Sequence, residues 1–239
     1  YDLLNYTTIT CGNLYAFVLE RCFTLTHSES RTGMIVQLPI VCTDRMIPLQ
    51  HLYSIGSHKV WFSTYDDRPG RLFDGLEHIR ATIVVNKVGN KQSSVVTTKY
   101  NRWLSEARKP LFECIRFCEN QKWSFNGAIP KAGTITDLNI ANKVLCRNKL
   151  FEALQGSHFI YYHNAPQYWA RAMTFVPYFW NERDGEQLST QIKTLALPTT
   201  TFAKATCATL NSSLFYWWFI ALSDCRHLNM REIDHFPLG

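Results

Sequence analysis

The sequence predicts an α/β protein in two parts, a sheet layered with helices and then a basic, aromatic-rich domain. Asn13–Leu25 carries one apolar stripe at helical spacing, and Met34–Pro39 after it is a short apolar run typical of a buried strand. This helix–turn–strand alternation favours a parallel sheet. Two further runs, Val60–Ser63 and Ala81–Val85, predict more strands, the second because it is dense in β-branched residues.

The other elements of the first domain, residues 1–98, follow from turns and caps. Arg31-Thr32-Gly33 separates the first helix from the first strand. Thr43 or Asp44 is suited to cap a helix that continues to Leu52. The alternation of Ser94–Tyr100 predicts a half-exposed strand.

The second domain, residues 99–239, begins with a basic segment. Arg102–Cys118 is predicted to be an amphipathic helix with basic residues on one side. A loop punctuated by glycine and proline follows, then a helix near Ile140–Leu154 and a strand over Phe159–His163. We therefore expect mixed α and β content in this domain.

The closing segment begins at Leu210 and contains an apolar, aromatic block from Leu214 to Leu222. The block is too short to span a bilayer, which needs ~20 apolar residues. Asn211-Ser212-Ser213 before it are good helix N-caps. We expect a helix buried on nearly all sides, then a polar turn and a short helix that ends before Pro237.

The distribution of charge suggests phosphate contacts. The net charge is +6, and residues 99–149 contain ten Lys/Arg against four Asp/Glu. Cations interleaved with Trp, Tyr and Phe suit a nucleic acid, because the cations neutralise phosphates and the rings stack on bases. A solvated helix face has the same composition, so charge alone leaves both interpretations open.

The eight cysteines are scattered without a CxxC pair, which favours reduced thiols and a cytoplasmic protein. Cys114 and Cys118 stand four apart, but no second pair completes a zinc site, so we predict no metal. The first residues lack the pattern of a signal peptide, and we expect no membrane partner. The start at Tyr1, without methionine, suggests a fragment of a larger protein.

The closing residues, LNSSLFYWWF and then SD-RHLN-REI-FP, resemble the end of the target-recognition region in adenine-specific DNA methyltransferases of fused, Type IIG restriction–modification enzymes. NLYAFVLER, RTGMIVQLPI and RPGRLFDGLEHIRATIVV are similar, in order and distance, to the second half of the catalytic domain of those enzymes. The resemblance implies the C-terminal half of a Rossmann-like class I methyltransferase sheet in residues 1–98 and an α+β target-recognition domain in residues 99–239.

Two motifs of that family are absent from the sequence. No Asn/Asp-Pro-Pro occurs, and none of the eleven glycines forms GxG. In the family, the first motif orients the amine of an adenine flipped out of the duplex, and the second lets backbone approach S-adenosylmethionine. We therefore expect no catalytic and no cofactor-binding residues in this chain. The complete enzyme would use S-adenosylmethionine, with the upstream methyltransferase half supplied by the same or a partner chain.

One residue of the adenine site is implied by the resemblance. In the family, an aromatic residue between the sixth and seventh strands packs against the flipped adenine, and Phe73 stands at the matching position. Base–aromatic stacking contributes roughly 1–3 kcal/mol. A phenylalanine in the protein core is the alternative interpretation of Phe73.

Candidate contacts to double-stranded DNA are basic and polar residues, because Arg and Lys suit guanine edges and Asn suits adenine. The resemblance implies such contacts in the polar turn after the aromatic block, residues 223–229, which we call the tail turn. For each candidate, an ordinary surface or helix-capping role is the alternative. The candidates are Lys99, Arg102, Arg108, Lys109 and Lys131 in the basic stretch, and Arg226, His227 and Asn229 in the tail turn.

The sequence thus predicts part of a site-specific adenine DNA methyltransferase that contributes target recognition and the flipped-adenine pocket. The alternative is a non-catalytic DNA-binding or specificity subunit that completes a split enzyme. A third possibility is a structural protein whose aromatic tail packs on a protein partner. A sheet cut after its fourth strand would expose an apolar edge, so we expect the isolated chain to self-associate.

Overall fold

The computed structural model describes residues 5–75, 77–89, 94–120, 124–125, 127–146 and 156–237. The chain divides into two compact units, Tyr1–Asn139 and Ile140–Gly239. The predicted domain boundary after residue 98 falls within a strand of the first unit, so the sheet of that unit continues into the basic stretch.

The first unit is an α/β structure, as predicted. Its described helices and strands are α1 (Leu14–Leu25), β1 (Arg31–Gln37), α2 (Ile47–Gly56), β2 (Ser57–Tyr65), β3 (Ala81–Val88), β4 (Ser94–Asn101), α3 (Leu111–Cys114) and β5 (Phe117–Asn120). The helix α4 (Ile135–Leu145) spans the division between the units.

The five strands form one mixed sheet in the order β1-β3-β2-β4-β5, which corrects the predicted parallel sheet. β3 is antiparallel to both β1 and β2, while β2 and β4 are parallel. Parallel neighbours need a long, usually helical crossover, and the described part of the 66–80 connection contains no helix. β3 therefore returns antiparallel, between β1 and β2.

The register of this sheet brings several strand ends together. Gln37 at the end of β1 and Tyr65 at the end of β2 both lie opposite Ala81, the first residue of β3. Asn101 at the end of β4 pairs with Tyr65. The carboxyl ends of β1, β2 and β4 therefore lie at the same end of the sheet.

The first two helices begin at local signals. The side chain of Asn13 accepts a hydrogen bond from the Tyr15 amide at 3.3 Å, so α1 starts where a good N-cap stands. A 3₁₀ turn at Asp44–Met46 precedes α2, which therefore starts later than predicted and carries Pro48 in its first turn.

The predicted helix over Arg102–Cys118 is wrong. A 3₁₀ turn at Ser105–Arg108 and the short α3 replace it, and Phe117–Asn120 forms the edge strand β5, antiparallel to β4. Pro110 lacks an amide hydrogen and disrupts a helix at its centre. Pairing with β4 supplies the backbone hydrogen bonds of β5 instead.

The second unit combines an antiparallel sheet with helices. Its described elements are β6 (His158–His163), β7 (Ala172–Met173), β8 (Trp180–Asn181), β9 (Gly185–Glu186), β10 (Ile192–Leu197), α5 (Thr200–Leu210), α6 (Ser213–Leu222) and α7 (Met230–Asp234). The sheet has the order β10-β6-β7, and β8 and β9 form a small hairpin.

Three predictions for this part of the chain have different outcomes. The strand over Phe159–His163 and the helix over Leu214–Leu222 are confirmed by β6 and α6, but α6 is buried on one side only, and its Leu214 is exposed. The helix predicted near Ile140–Leu154 begins earlier, as α4, and residues 147–155 lie outside the described residues.

Candidate nucleic-acid interface

A cleft of about 400 Å³ lies at the carboxyl ends of β1 and β2 in the first unit. In open α/β sheets, ligands bind outside the carboxyl ends of the strands. A volume of a few hundred Å³ is usual for a small-molecule site. The lining residues include Tyr15, Val36, Asp66, Arg71, Phe73 and Ile79.

Phe73 lies in the connection between β2 and β3 and lines this cleft. Its side chain is 41% exposed, so it is not a buried core phenylalanine. Ile79 from the same connection is 39% exposed. The cleft therefore offers an accessible aromatic ring beside an aliphatic wall.

The connection that carries Phe73 is anchored on both sides of that residue. Leu72 packs against a buried cluster that contains Tyr65 and Trp103. Arg108 donates hydrogen bonds to the Leu72 carbonyl at 2.5 Å and to an Asp74 carboxylate oxygen at 3.2 Å. Arg108, a candidate for DNA contact, therefore has a structural role in placing the Phe73 ring.

Asp66 forms the acidic wall of the cleft, directly after β2. It is buried, and its carboxylate accepts hydrogen bonds from Arg102 Nε at 2.5 Å and from the Asp67 amide at 2.8 Å. The Arg102 guanidinium also lies over the Tyr100 ring, 5.4 Å from its centroid. Arg102, a second candidate for DNA contact, thus holds the acidic side chain of the cleft in place.

Tyr15 lines the cleft from α1 as a neutral side chain. Burial raises the pKa of Tyr15, and nearby thiols act in the same direction. Its hydroxyl lies 3.5 Å from the Met46 sulfur. Tyr15 therefore adds ring surface and no charge at neutral pH.

The other basic candidates of the first unit differ in exposure. Lys99 and Lys109 are exposed, and their ammonium groups suit phosphate contacts. Lys131 is only 4% exposed, so it offers DNA almost no surface. Burial of this kind cannot be recognised from a local run of basic residues.

The tail turn in the second unit is built around Asp224. One Asp224 oxygen accepts hydrogen bonds from the amides of Arg226 and His227, each at 2.8 Å. The other lies 3.0 Å from His227 Nδ1. Cys225 between them adopts a left-handed conformation with φ 58°. The turn that presents Arg226 and His227 is therefore locally fixed.

Asn229, the last candidate of the tail turn, is the N-cap residue of α7. Its amide hydrogen is donated to Glu232 Oε2 at 3.0 Å, which forms one half of a capping box. Its side-chain amide donates to the His227 carbonyl at 3.3 Å. Asn229 therefore has the capping role, and because it is exposed it is also accessible to DNA.

Helix α6 holds this turn in position. The Trp218 indole donates to the Glu232 carbonyl at 3.0 Å. The Phe236 ring packs edge-on against Phe215 and Trp218, with centroids 5.2 and 5.7 Å apart. The aromatic block of the closing segment is therefore a rigid support for the turn.

Most walls of the first-unit cleft were missed by sequence reasoning. Phe73 was found through the resemblance, whereas Tyr15, Val36 and Ile79 come from α1, β1 and the 66–80 connection, which meet only in the folded unit. Asp66 had one available signal, since an acidic residue directly follows a strand there.

Neither a candidate metal centre nor a membrane-spanning helix is found among the described residues. No group of three His, Cys, Asp or Glu side chains is arranged to hold a metal ion. No described helix combines the length and apolar character needed to cross a membrane.

Neither a protein-family model nor a curated protein matches this chain.

Proposed function

We propose that this chain is the C-terminal portion of an adenine-specific DNA methyltransferase of a Type IIG-like restriction–modification enzyme. The observation that carries the proposal is the exposed Phe73 ring in the cleft of about 400 Å³ at the carboxyl edge of the sheet. Chemistry on the amine of adenine requires the base to leave the duplex and enter such a pocket. Phe73 would stack on one face of that base.

We further propose that this chain alone does not hold S-adenosylmethionine. The support for this is that the sequence has no GxG turn to let backbone approach the cofactor, and that no glycine is found among the described residues lining the cleft. The chain therefore contributes the adenine pocket and DNA recognition, and methyl transfer requires the upstream half in the same or a partner chain.

The surface of α1 and β1 supports a missing upstream half. β1 is an edge strand of the five-stranded sheet, and its Ile35 is 50% exposed. On α1, Leu14, Val18 and Leu25 lie on one helical face and are 78, 49 and 66% exposed. An open strand edge beside exposed apolar residues is typical of an interface.

A non-catalytic DNA-binding or specificity subunit that completes a split enzyme is the second candidate. The fixed turn with Arg226 and His227 favours DNA contact in either case. The two candidates differ in the cleft, because a specificity subunit has no need to receive an unpaired adenine.

Replacing Phe73 with alanine tests the adenine pocket. The 239-residue chain is titrated with a duplex that contains one unpaired adenine and with the same duplex fully paired, using fluorescence anisotropy. We expect Phe73→Ala to weaken binding of the first duplex by about tenfold, since stacking contributes ~1–3 kcal/mol per base. Phe73→Tyr, which keeps the ring, should bind like the wild type.

Phe117→Ala is the matched control, because Phe117 is 51% exposed on β5 at the opposite edge of the sheet from β1. It should leave both affinities unchanged. Equal binding of the unpaired adenine by wild-type and Phe73→Ala chains would reject the pocket. Binding of both duplexes with one affinity would favour the specificity subunit.

A further inference from the structure

A second cleft, of about 300 Å³, lies within the second unit. Tyr168 and Trp169 form an aromatic rim that is 70 and 60% exposed. Apart from Ala165, the other lining side chains are polar or basic: His163, Gln167, Arg171 and Gln191. Exposed aromatic rings beside amides and a guanidinium give this cleft stacking surfaces and hydrogen-bonding groups together.

Hydrogen bonds to main-chain carbonyls tie the walls of this cleft together. These bonds connect the 163–171 segment to the segment at Gln191 and to α6, so the backbone that carries the lining side chains is fixed in place. The bonds run from the His163 amide to the Arg171 carbonyl (2.9 Å), from the Asn164 amide to the Gln191 carbonyl (2.9 Å) and from the Tyr216 hydroxyl to the Gln167 carbonyl (2.7 Å).

The charge of the cleft comes from Arg171. Burial lowers the pKa of His163, and the Arg171 charge lowers it further, so the imidazole is neutral at pH 7. The Ala165 amide donates to His163 Nδ1 at 3.1 Å, and the side chain of Gln191 hydrogen-bonds the same ring. Among the described residues, Arg171 has no carboxylate partner, so its guanidinium can bind a ligand acceptor.

The tail turn meets this edge of the unit. The Leu228 amide donates to the Asn164 carbonyl at 2.8 Å, and Asn164 directly follows β6 and the cleft residue His163. Arg226 and His227 are therefore carried close to the cleft by a fixed turn. An arginine such as Arg226 beside a polar cleft suits a ligand whose recognised groups are flanked by phosphates.

We propose that this second-unit cleft reads base edges of double-stranded DNA, with Arg171, Gln167 and Gln191 as the base-reading residues. Arginine forms paired hydrogen bonds to guanine, and glutamine forms them to adenine. Tyr168 and Trp169 pack on the neighbouring bases or sugars, and the tail turn contacts the backbone. This inference rests on the proposed function of the second unit in target recognition.

The test is selection of bound duplexes from a pool with randomised sequence, by the wild-type 239-residue chain and its variants. We expect the wild type to enrich a defined sequence. Arg171→Lys should lose the preference at one guanine position, with affinity for the enriched duplex falling about ten- to hundredfold. Gln167→Ala should lose the preference at a different position. Both side chains are exposed, so neither change removes core packing.

Arg183→Lys and Gln187→Ala are matched controls from the exposed β8–β9 hairpin region. They should select the wild-type sequence with wild-type affinity. An unchanged selected sequence with Arg171→Lys and Gln167→Ala would overturn the proposal. So would an equal loss of affinity on every duplex, which indicates phosphate contact only, or the absence of any enriched sequence.

The Phe73→Ala chain separates this proposal from the one on which it rests. If both hold, Phe73→Ala selects the wild-type sequence but loses its preference for an unpaired adenine. Selection of a sequence without any preference for an unpaired adenine in the wild type rejects the adenine pocket alone.

Discussion

The Glu20 carboxylate on α1 accepts four hydrogen bonds from the residues that precede the helix. They come from the amides of Thr7 and Thr8, both at 2.9 Å, and from the two hydroxyls at 3.1 and 2.6 Å. Burial raises the pKa of Glu20, but these bonds, with the Thr8 hydroxyl foremost, outweigh it and lower the pKa overall. The same helix brings Tyr15 to the first-unit cleft.

Glu20→Gln should destabilise the chain by about 1–2 kcal/mol at pH 7, because hydrogen bonds to a charged acceptor are lost. Urea unfolding measures the change, and Glu113→Gln on the exposed surface is the control. Because the pKa of Glu20 is lower in the folded state than in the unfolded state, its ionised form stabilises the fold at pH values above the unfolded-state pKa of ~4.3. This stabilisation is lost as the pH falls through the folded-state pKa. The difference between wild type and Glu20→Gln should therefore shrink below pH 4. A constant difference down to pH 3 would contradict this assignment.

At the scale of single elements, α7 and the turn before it combine two roles at Asn229. The residue caps α7, with Glu232 closing the box, and it also stands exposed in the segment that resembles a DNA-contacting turn. Serine is an equally good N-cap but lacks the amide that recognises adenine. Substitutions at this position can therefore separate stability from DNA binding.

We expect Asn229→Ala to lower the free energy of unfolding by about 1 kcal/mol and Asn229→Ser to leave it nearly unchanged. Both variants should bind duplex DNA more weakly than the wild type. Thermal unfolding and DNA titration on the same samples measure the two effects. Wild-type DNA affinity in Asn229→Ser would leave Asn229 with the capping role alone.

Elements with strong local signals could be predicted from the sequence, and elements that depend on distant partners could not. α1 begins at an N-cap, α6 begins after Ser212, and β3 is rich in β-branched residues. In contrast, β5 exists because β4 offers it an edge, and the direction of β3 depends on a connection without a described helix. The hydrophobic periodicity of a short sequence segment predicts neither the pairing of β5 with β4 nor the direction of β3.

The two clefts could likewise be predicted from the sequence only in part. Phe73 could be assigned through one resembling segment, but the surrounding walls come from α1, β1 and β3. In the second unit, Gln167, Arg171 and Gln191 are separated along the chain and meet through the strand pairing of β6 with β7 and β10. Isolated glutamines in loops carry no sequence signal of a shared site.

At the scale of the whole molecule, each unit contributes its own candidate DNA contacts to a chain with a net charge of +6. The first unit exposes Lys99 and Lys109, and the second presents Arg226, His227 and Arg171. Arg102 and Arg108 instead form hydrogen bonds within the first unit, to Asp66 of the cleft and to the Leu72 carbonyl beside Phe73. DNA binding is therefore expected to depend on a moderate number of phosphate contacts spread over both units.

Binding of duplex DNA should weaken steeply with salt. The logarithm of the affinity falls by ~0.9 per neutralised phosphate for each unit of log salt concentration. Four such contacts correspond to a loss of roughly a hundredfold between 50 and 200 mM salt. Titrations over this range measure the slope. Binding that does not depend on salt, or no binding at low salt, would favour a protein partner.

The central claim is that the cleft beside Phe73 receives an adenine that has left the duplex. The most direct measurement is the affinity of the wild-type chain for a duplex with one unpaired adenine, relative to a duplex with an unpaired thymine at the same place and the same salt concentration. The proposed pocket predicts tighter binding of the adenine duplex, and loss of that difference in Phe73→Ala. Equal affinity of the wild-type chain for the two duplexes would contradict the claim.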